Sequence, residues 1–271
     1  MFLSNPEYAA GTPGLADAIA AAGRAGSLTL VHCEDAGILA GTGQELIGAG
    51  RGAVRHFPDA RPVSAEVAAV DDAIDLTRRT GAPLYIVHLS SAAALDRCRQ
   101  ARAEGLPVYV ETRPLYLHLT RERFAEPDAA KLDPALDVVT ARQGVADLET
   151  LMPMLFFEGV VTGRISLDQF VRLTSANAAR LFGLSPRKGA VAAGSDADLA
   201  LWDPQERRVI DGARMRSRAG YSVYDGWAVQ GWPRFVIRRG QIVLADGDGR
   251  AEPGSGRWAR RDPAGQPSAG G

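Results

Sequence analysis

Chemistry in this chain has to be built from few parts. There are four histidines, His32, His56, His88 and His118, and two cysteines, Cys33 and Cys98. Two of the histidines end apolar runs of the same design. Leu28-Thr29-Leu30-Val31 runs into His32-Cys33-Glu34-Asp35, and Leu84-Tyr85-Ile86-Val87 runs into His88-Leu89-Ser90-Ser91. Such a run, with Gly81 and Pro83 punctuating the start of the second, predicts a fully buried strand. A buried strand has little use for an imidazole in its middle and good use for one at its C-terminal end, the chemical face of an α/β barrel. Two such strands would bring His32 and His88 to one rim, as half of a metal site. The plainer alternative is a hydrogen-bonded histidine at a strand end.

The other candidates weigh less. Cys33 beside His32 imitates a nucleophilic dyad, but neighbours on a strand point to opposite faces, which excludes it. Glu34 and Asp35 could lend a metal an oxygen; a solvated carboxylate pair at a helix N-terminus is the favoured reading. Glu111 and Arg113 end a third apolar run, as substrate contacts or as a structural ion pair. His56 and His118 read as exposed loop residues, Asn177 as packing or capping, and Asp196 and Asp198 as turn chemistry.

Stepping from these residues to their supports, 13–26 is alanine-rich with Leu15, Ile19 and Ala22 at helical spacing, closed by Gly23 and Gly26. Residues 35–51 read as helical and 55–62 as a loop. Ser64 is a plausible N-cap for a long helix carrying Val67, Val70, Ile74 and Leu76. The His88 strand follows, then a helix over 92–104 and a strand over 106–112. Strands this apolar, alternating with helices, predict a parallel sheet buried on both faces. Residues 131–140 carry no clear element. Helices are expected over 148–158, kinked at Pro153, and over 167–182, between Ser166 and Gly183. From Lys188 the texture turns to short alternating segments: 190–192, 199–202, 208–210, and 235–237 and 242–244 either side of Arg239-Gly240. This predicts hairpins.

The bulk properties exclude several classes. With 271 residues, a net charge of -1 and ordinary hydrophobicity, nothing points to nucleic acid or an anionic membrane surface. No apolar run reaches the roughly 18 residues of a membrane span. The N-terminus lacks the pattern of a signal peptide, and two isolated cysteines fit a reducing compartment. A cytoplasmic location is expected.

At this point the motifs combine into a resemblance. Val31-His32-Cys33-Glu34-Asp35, then Arg61-Pro62 with Glu66 and Tyr85-Ile86-Val87-His88-Leu89-Ser90-Ser91, resemble the fifth- and sixth-strand units of the dihydropyrimidinase and hydantoinase branch of the amidohydrolase superfamily, relatives of dihydroorotase and allantoinase. Val108 to Leu117 resembles the seventh strand and its loop. Leu173 to Leu184, Lys188-Gly189 and Gly194 to Leu199 resemble the closing helix and the return to a β-sandwich. The resemblance covers nearly everything from Met1 to about Gly247. It implies a TIM-like barrel with a small β-sandwich and hydrolysis of cyclic amides by a hydroxide held on two divalent metals, usually zinc. It makes His32 and His88 the metal ligands of the fifth and sixth strands, and implies a small cyclic amide or ureide substrate.

The departures are as informative. The family's His-x-His pair, its carboxylated lysine and its eighth-strand aspartate have no match in this sequence. On that resemblance the chain is expected to open one step after the lysine and to lack a block near Lys131. The expected fold is therefore an α/β incomplete barrel retaining strands 5 to 7 over residues 1–187, then a β-sandwich segment over 188–246 and a disordered tail over 247–271. Impaired or absent turnover is expected. So is assembly as a homo-oligomer or with a full-length relative; the alternatives are a non-catalytic partner of such a relative and a non-functional gene fragment.

Overall fold

A computed structural model of the protein describes residues 3–4, 14–126, 137–141 and 144–261. It is a mixed α/β structure in two compact units that divide between Gln143 and Gly144, earlier than the change of sequence texture at Lys188.

In the first unit three short strands, β1 (Thr29–Val31), β2 (Leu84–Ile86) and β3 (Val108–Val110), form a parallel sheet in the order β1-β2-β3. Helices α1 (Leu15–Arg24), α2 (Ala36–Gly48), α3 (Phe57–Ala60), α4 (Val63–Thr80), α5 (Ala92–Ala103) and α6 (Pro114–His118) are interleaved with them. Strands buried this fully require apolar side chains on both faces, and Val31, Leu84, Ile86 and Val108 are all buried. They pack with Ile19 of α1, Val70, Ala73 and Leu76 of α4, and Ala94 and Cys98 of α5 in one cluster. Each aliphatic side chain buried there contributes about 1.5–3 kcal/mol.

Local chemistry sets the helix ends. Asp35 caps α2 by accepting from Ile38 N at 2.7 Å, and Ser91 caps α5 by accepting from Ala94 N at 3.2 Å. Two expectations need correction. The segment 55–62 is not a loop: a 3₁₀ turn, Val54–His56, runs into α3. Ser64 is not an N-cap, because α4 starts at Val63 behind Pro62, whose fixed φ suits a helix start without a side-chain cap.

In the second unit α7 (Leu148–Leu155) carries Pro153 inside it and continues as wider π-helical turns over Phe156–Val161. The helix after Ser166 is continuous: α8 (Leu167–Val171), a π-helical stretch (Arg172–Ala176) and α9 (Asn177–Leu181). Ser166 and Gln169 form a reciprocal capping box. Four strands, β4 (Leu199–Val209), β5 (Ala228–Arg238), β6 (Gln241–Ala245) and β7 (Asp248–Gly249), make an antiparallel sheet in chain order. Residues 190–192, expected to alternate as a strand, are in none, while 199–202 and 208–209 belong to one bulged strand that ends before Ile210. The β5–β6 hairpin turns at Arg239 and Gly240 as predicted, with φ of 49° and 79°. Asp198 steadies that turn by accepting from Arg239 N at 2.7 Å.

Of the residues read as a tail, 248–249 form β7, and Ser255 and Arg260 accept hydrogen bonds from Arg239 and Arg187. Residues 262–271 lie outside the described residues, as do 131–136 of the unassigned stretch. Among the described residues no helix is long and apolar enough to cross a membrane.

Phe156 stacks on Trp202 with ring centroids 4.8 Å apart, and Gly231 lies beneath it. A Cβ on Gly231 would stand 2.3 Å from the Phe156 ring, at a backbone φ of 90°. Gly231→Ala should therefore destabilise the second unit by about 3 kcal/mol through overpacking and backbone strain. All four tryptophans, Trp202, Trp227, Trp232 and Trp258, belong to that unit, so tryptophan fluorescence in urea reads it directly.

Candidate metal-ligand pair at the strand ends

The strands of the parallel sheet finish in step. Val31 pairs with Ile86 and Ile86 with Val110, so the chain leaves all three strands at one edge. His32, His88 and Glu111 are the first chemically versatile residues there. His32 follows β1 directly and its side chain is only 11% exposed. His88 comes two residues after β2 and has a φ of 43°. That left-handed conformation costs a residue with a side chain on the order of 1–3 kcal/mol. In this conformation His88 Nε2 stands 3.0 Å from His32 Nδ1, with the rings crossed at 62°.

A carboxylate holds each histidine, at the ring of His32 and at the backbone of His88. His32 Nε2 lies 2.9 Å from Glu34 Oε2, which also accepts from Arg61. Burial by itself would push the Glu34 carboxyl up, but the hydrogen bonds from His32 and Arg61 hold it below its usual range. Since an ionised carboxylate only accepts, the His32 Nε2 that faces Glu34 carries a hydrogen, and Nδ1 is the nitrogen that meets His88. The expectation of a solvated Glu34 is thus corrected: it is enclosed between an imidazole and a guanidinium. Asp35 does cap a helix.

Glu111 supports the backbone of the other histidine. Its carboxylate lies 3.4 Å from His88 N and accepts from the Tyr85 hydroxyl at 3.4 Å. Burial, then the Glu111 charge, push the Tyr85 phenol up to about 12. Arg113 bonds instead with Tyr116. Burial, followed by repulsion from His32, holds the His88 imidazole below its usual value.

The remaining candidates stand elsewhere. Cys33 is buried with its thiol pushed up, and Cys98 is pushed up to about 11, both chiefly by burial, so neither is a nucleophile. His56 pairs with Asp59 at 3.3 Å, and both His56 and His118 are half-buried, not exposed as expected. Asn177 bonds to Arg180, and Asp196 and Asp198 both engage Lys188. Glu66 and Arg61 have no assigned role in the sequence, where they stand only as part of a motif. Their charges near Pro62, at the start of a long helix, were the available signal.

A catalytic zinc site ordinarily has three protein ligands, and two nitrogens on one tetrahedral zinc stand about 3.3 Å apart. The histidine pair is close to that spacing, but among the described residues no group of three or more His, Cys, Asp or Glu gathers for a metal. The donor set is incomplete, and no metal-borne step follows from it.

Known proteins resemble this chain closely. It matches the Amidohydrolase family over residues 4–243. It is 37% identical to a D-phenylhydantoinase of Escherichia coli O1:K1 / APEC over 88% of this chain and 61% of that protein. The chain thus spans about three-fifths of the length of the curated relatives it matches. Among solved structures, a D-hydantoinase (dihydropyrimidinase) from Thermus sp. aligns with a TM-score of 0.90 at 28% identity, over 97% of this chain and 67% of that one. A dihydropyrimidinase from Brevibacillus agri NCHU1002 aligns with a TM-score of 0.87 at 28% identity, over 98% and 68%.

The pair carries a pH signature. A folded-state value held down means that neutral His88 is favoured by folding, a contribution present above pH 6.5 and lost as pH falls through the folded value. In protein stripped of metal, NMR titration of the His88 ring should give a midpoint below 6.5, and His32→Gln should move it upward. An unchanged midpoint in that variant would remove His32 as a cause.

Proposed function

Because this chain belongs to the amidohydrolase family, we propose that it carries part of the machinery of a hydantoinase-like hydrolase, which opens a C–N bond of a small cyclic amide or ureide such as a hydantoin or dihydropyrimidine. The observation that supports this most is the approach of His32 Nδ1 and His88 Nε2 to 3.0 Å at the ends of adjacent parallel strands, in a chain 37% identical to a D-phenylhydantoinase. On this reading β1, β2 and β3 are strands 5 to 7 of an incomplete TIM-like barrel, and β4–β7 are the C-terminal part of its β-sandwich. His32 and His88 are two ligand positions for a divalent metal, zinc by preference since imidazole suits it. Glu34 with Arg61 sets the His32 ring, as carboxylates behind metal-bound histidines do. The free, buried thiols suit the cytoplasm.

The incomplete donor set favours a second reading beside the first. Two imidazoles supply neither a third ligand nor a group to protonate a leaving amine. On that account the chain alone does not turn over, and it serves as a non-catalytic subunit, in a homo-oligomer or joined to a full-length relative.

Purified chain should be analysed for zinc and assayed for ring opening of hydantoin and dihydrouracil. The expected outcome is no hydrolysis above buffer, and weak zinc binding that His32→Ala and His88→Ala each abolish. A full binuclear complement with turnover would sink the inactive reading. Zinc held equally by both variants would sink the ligand assignment. Recovery of hydrolysis on mixing with a full-length relative would favour the subunit reading.

A further inference from the structure

A third carboxylate grips the chain just beyond His88. Glu66 sits in the first turn of α4 and faces the segment that follows His88. Its Oε1 accepts from Ser90 N at 2.7 Å and from the Ser90 hydroxyl at 2.9 Å, and its Oε2 accepts from Ser91 N at 2.9 Å. Ser91 is in turn the cap of α5, so the carboxylate also lies at the start of that helix, where negative charge is favourable. Hydrogen bonds to an ionised acceptor are short and strong, and a carboxylate alone offers two acceptor oxygens to three donors at once.

This grip closes a short span. Before it, Val87 N donates to Val31 O at 3.1 Å, which fixes the chain as it leaves β2. After it, α5 begins. Between the two lie His88 and Leu89, and Leu89 is tied by its N–H to Glu111 O at 2.7 Å and by its carbonyl to the Thr112 hydroxyl at 2.8 Å. His88 is the residue that takes up the mismatch, with its left-handed φ of 43°. Such a conformation persists only where the surroundings over-determine it.

We propose that Glu66 is a positioning residue for His88: by gripping the Ser90–Ser91 backbone it holds His88 in the left-handed conformation that brings its Nε2 to His32. The importance of this position rests on the reading of the pair as a ligand site; the geometry itself does not need the metal.

The test uses the full chain, labelled with nitrogen-15 and freed of metal. The native protein should show a nitrogen–nitrogen coupling through the hydrogen bond between the His32 and His88 rings, with a cross-ring nuclear Overhauser effect. Glu66→Gln keeps the size of the side chain but only one acceptor oxygen, and should lose both signals while its circular dichroism stays native. Glu66→Ala should lose them too; where it unfolds, Glu66→Gln carries the result. Ser90→Ala removes only the hydroxyl, leaves both backbone donors, and should keep the coupling. A merely structural Glu66 would lower the melting temperature and leave the rings coupled in the folded protein. Coupling that persists in folded Glu66→Gln, or is absent from the native protein, overturns the proposal. Zinc added to native protein separates the two ideas: coupled rings whose signals ignore zinc would refute the ligand reading and leave the role of Glu66 standing.

Discussion

The site depends on the register of the parallel sheet. Val31, Ile86 and Val110 lie side by side, so whatever follows them emerges at one edge. A shift of one residue in β2 would turn Leu84 and Ile86 away from their present neighbours, and register is strongly specified where faces are buried. Here both faces are, with α1, α4 and α5 supplying Ile19, Val70, Leu76 and Ala94 to the packing. The core therefore does more than stabilise the unit. It decides that His32 and His88 meet.

Three carboxylates then divide the work of holding that meeting. Glu34, backed by Arg61, settles the hydrogen of His32 and the facing of its ring. Glu111 lies against the backbone of His88 and binds Tyr85 beneath it. Glu66 anchors the chain beyond. Among the described residues none of them joins the two rings in a group of three possible ligands, so a well-ordered pair coexists with an incomplete donor set.

Much of this was legible in the sequence, and the illegible part has a common cause. Apolar runs of the right length ending in histidine gave away β1 and β2, and Arg239-Gly240 gave away the β5–β6 hairpin, because period and turn chemistry are local. Ser166 as the cap of α8 is local too. The left-handed turn at His88 was not readable, since Val87-His88-Leu89 contains no glycine or asparagine to announce it; contacts from α4 and β3, distant in sequence, impose it. Glu34 was misjudged for the same reason, as its partner Arg61 lies across the fold. The loop expected over 55–62 failed because Pro58 reads as a breaker, whereas in the first turn of α3 it costs no hydrogen bond. The family resemblance, carried by the order of several motifs, reached further than any single one of them.

The two histidines differ in a way that their symmetry of sequence hides. Among the described residues β2 pairs with a strand on each side, while just past β1 the His32 carbonyl accepts from Leu3 N at 3.0 Å. The His32 backbone is thus fixed from a segment remote in sequence, and that of His88 by the Glu111 carboxylate at its own N–H. Whatever enters between the rings meets two side chains mounted on separately anchored stretches of backbone.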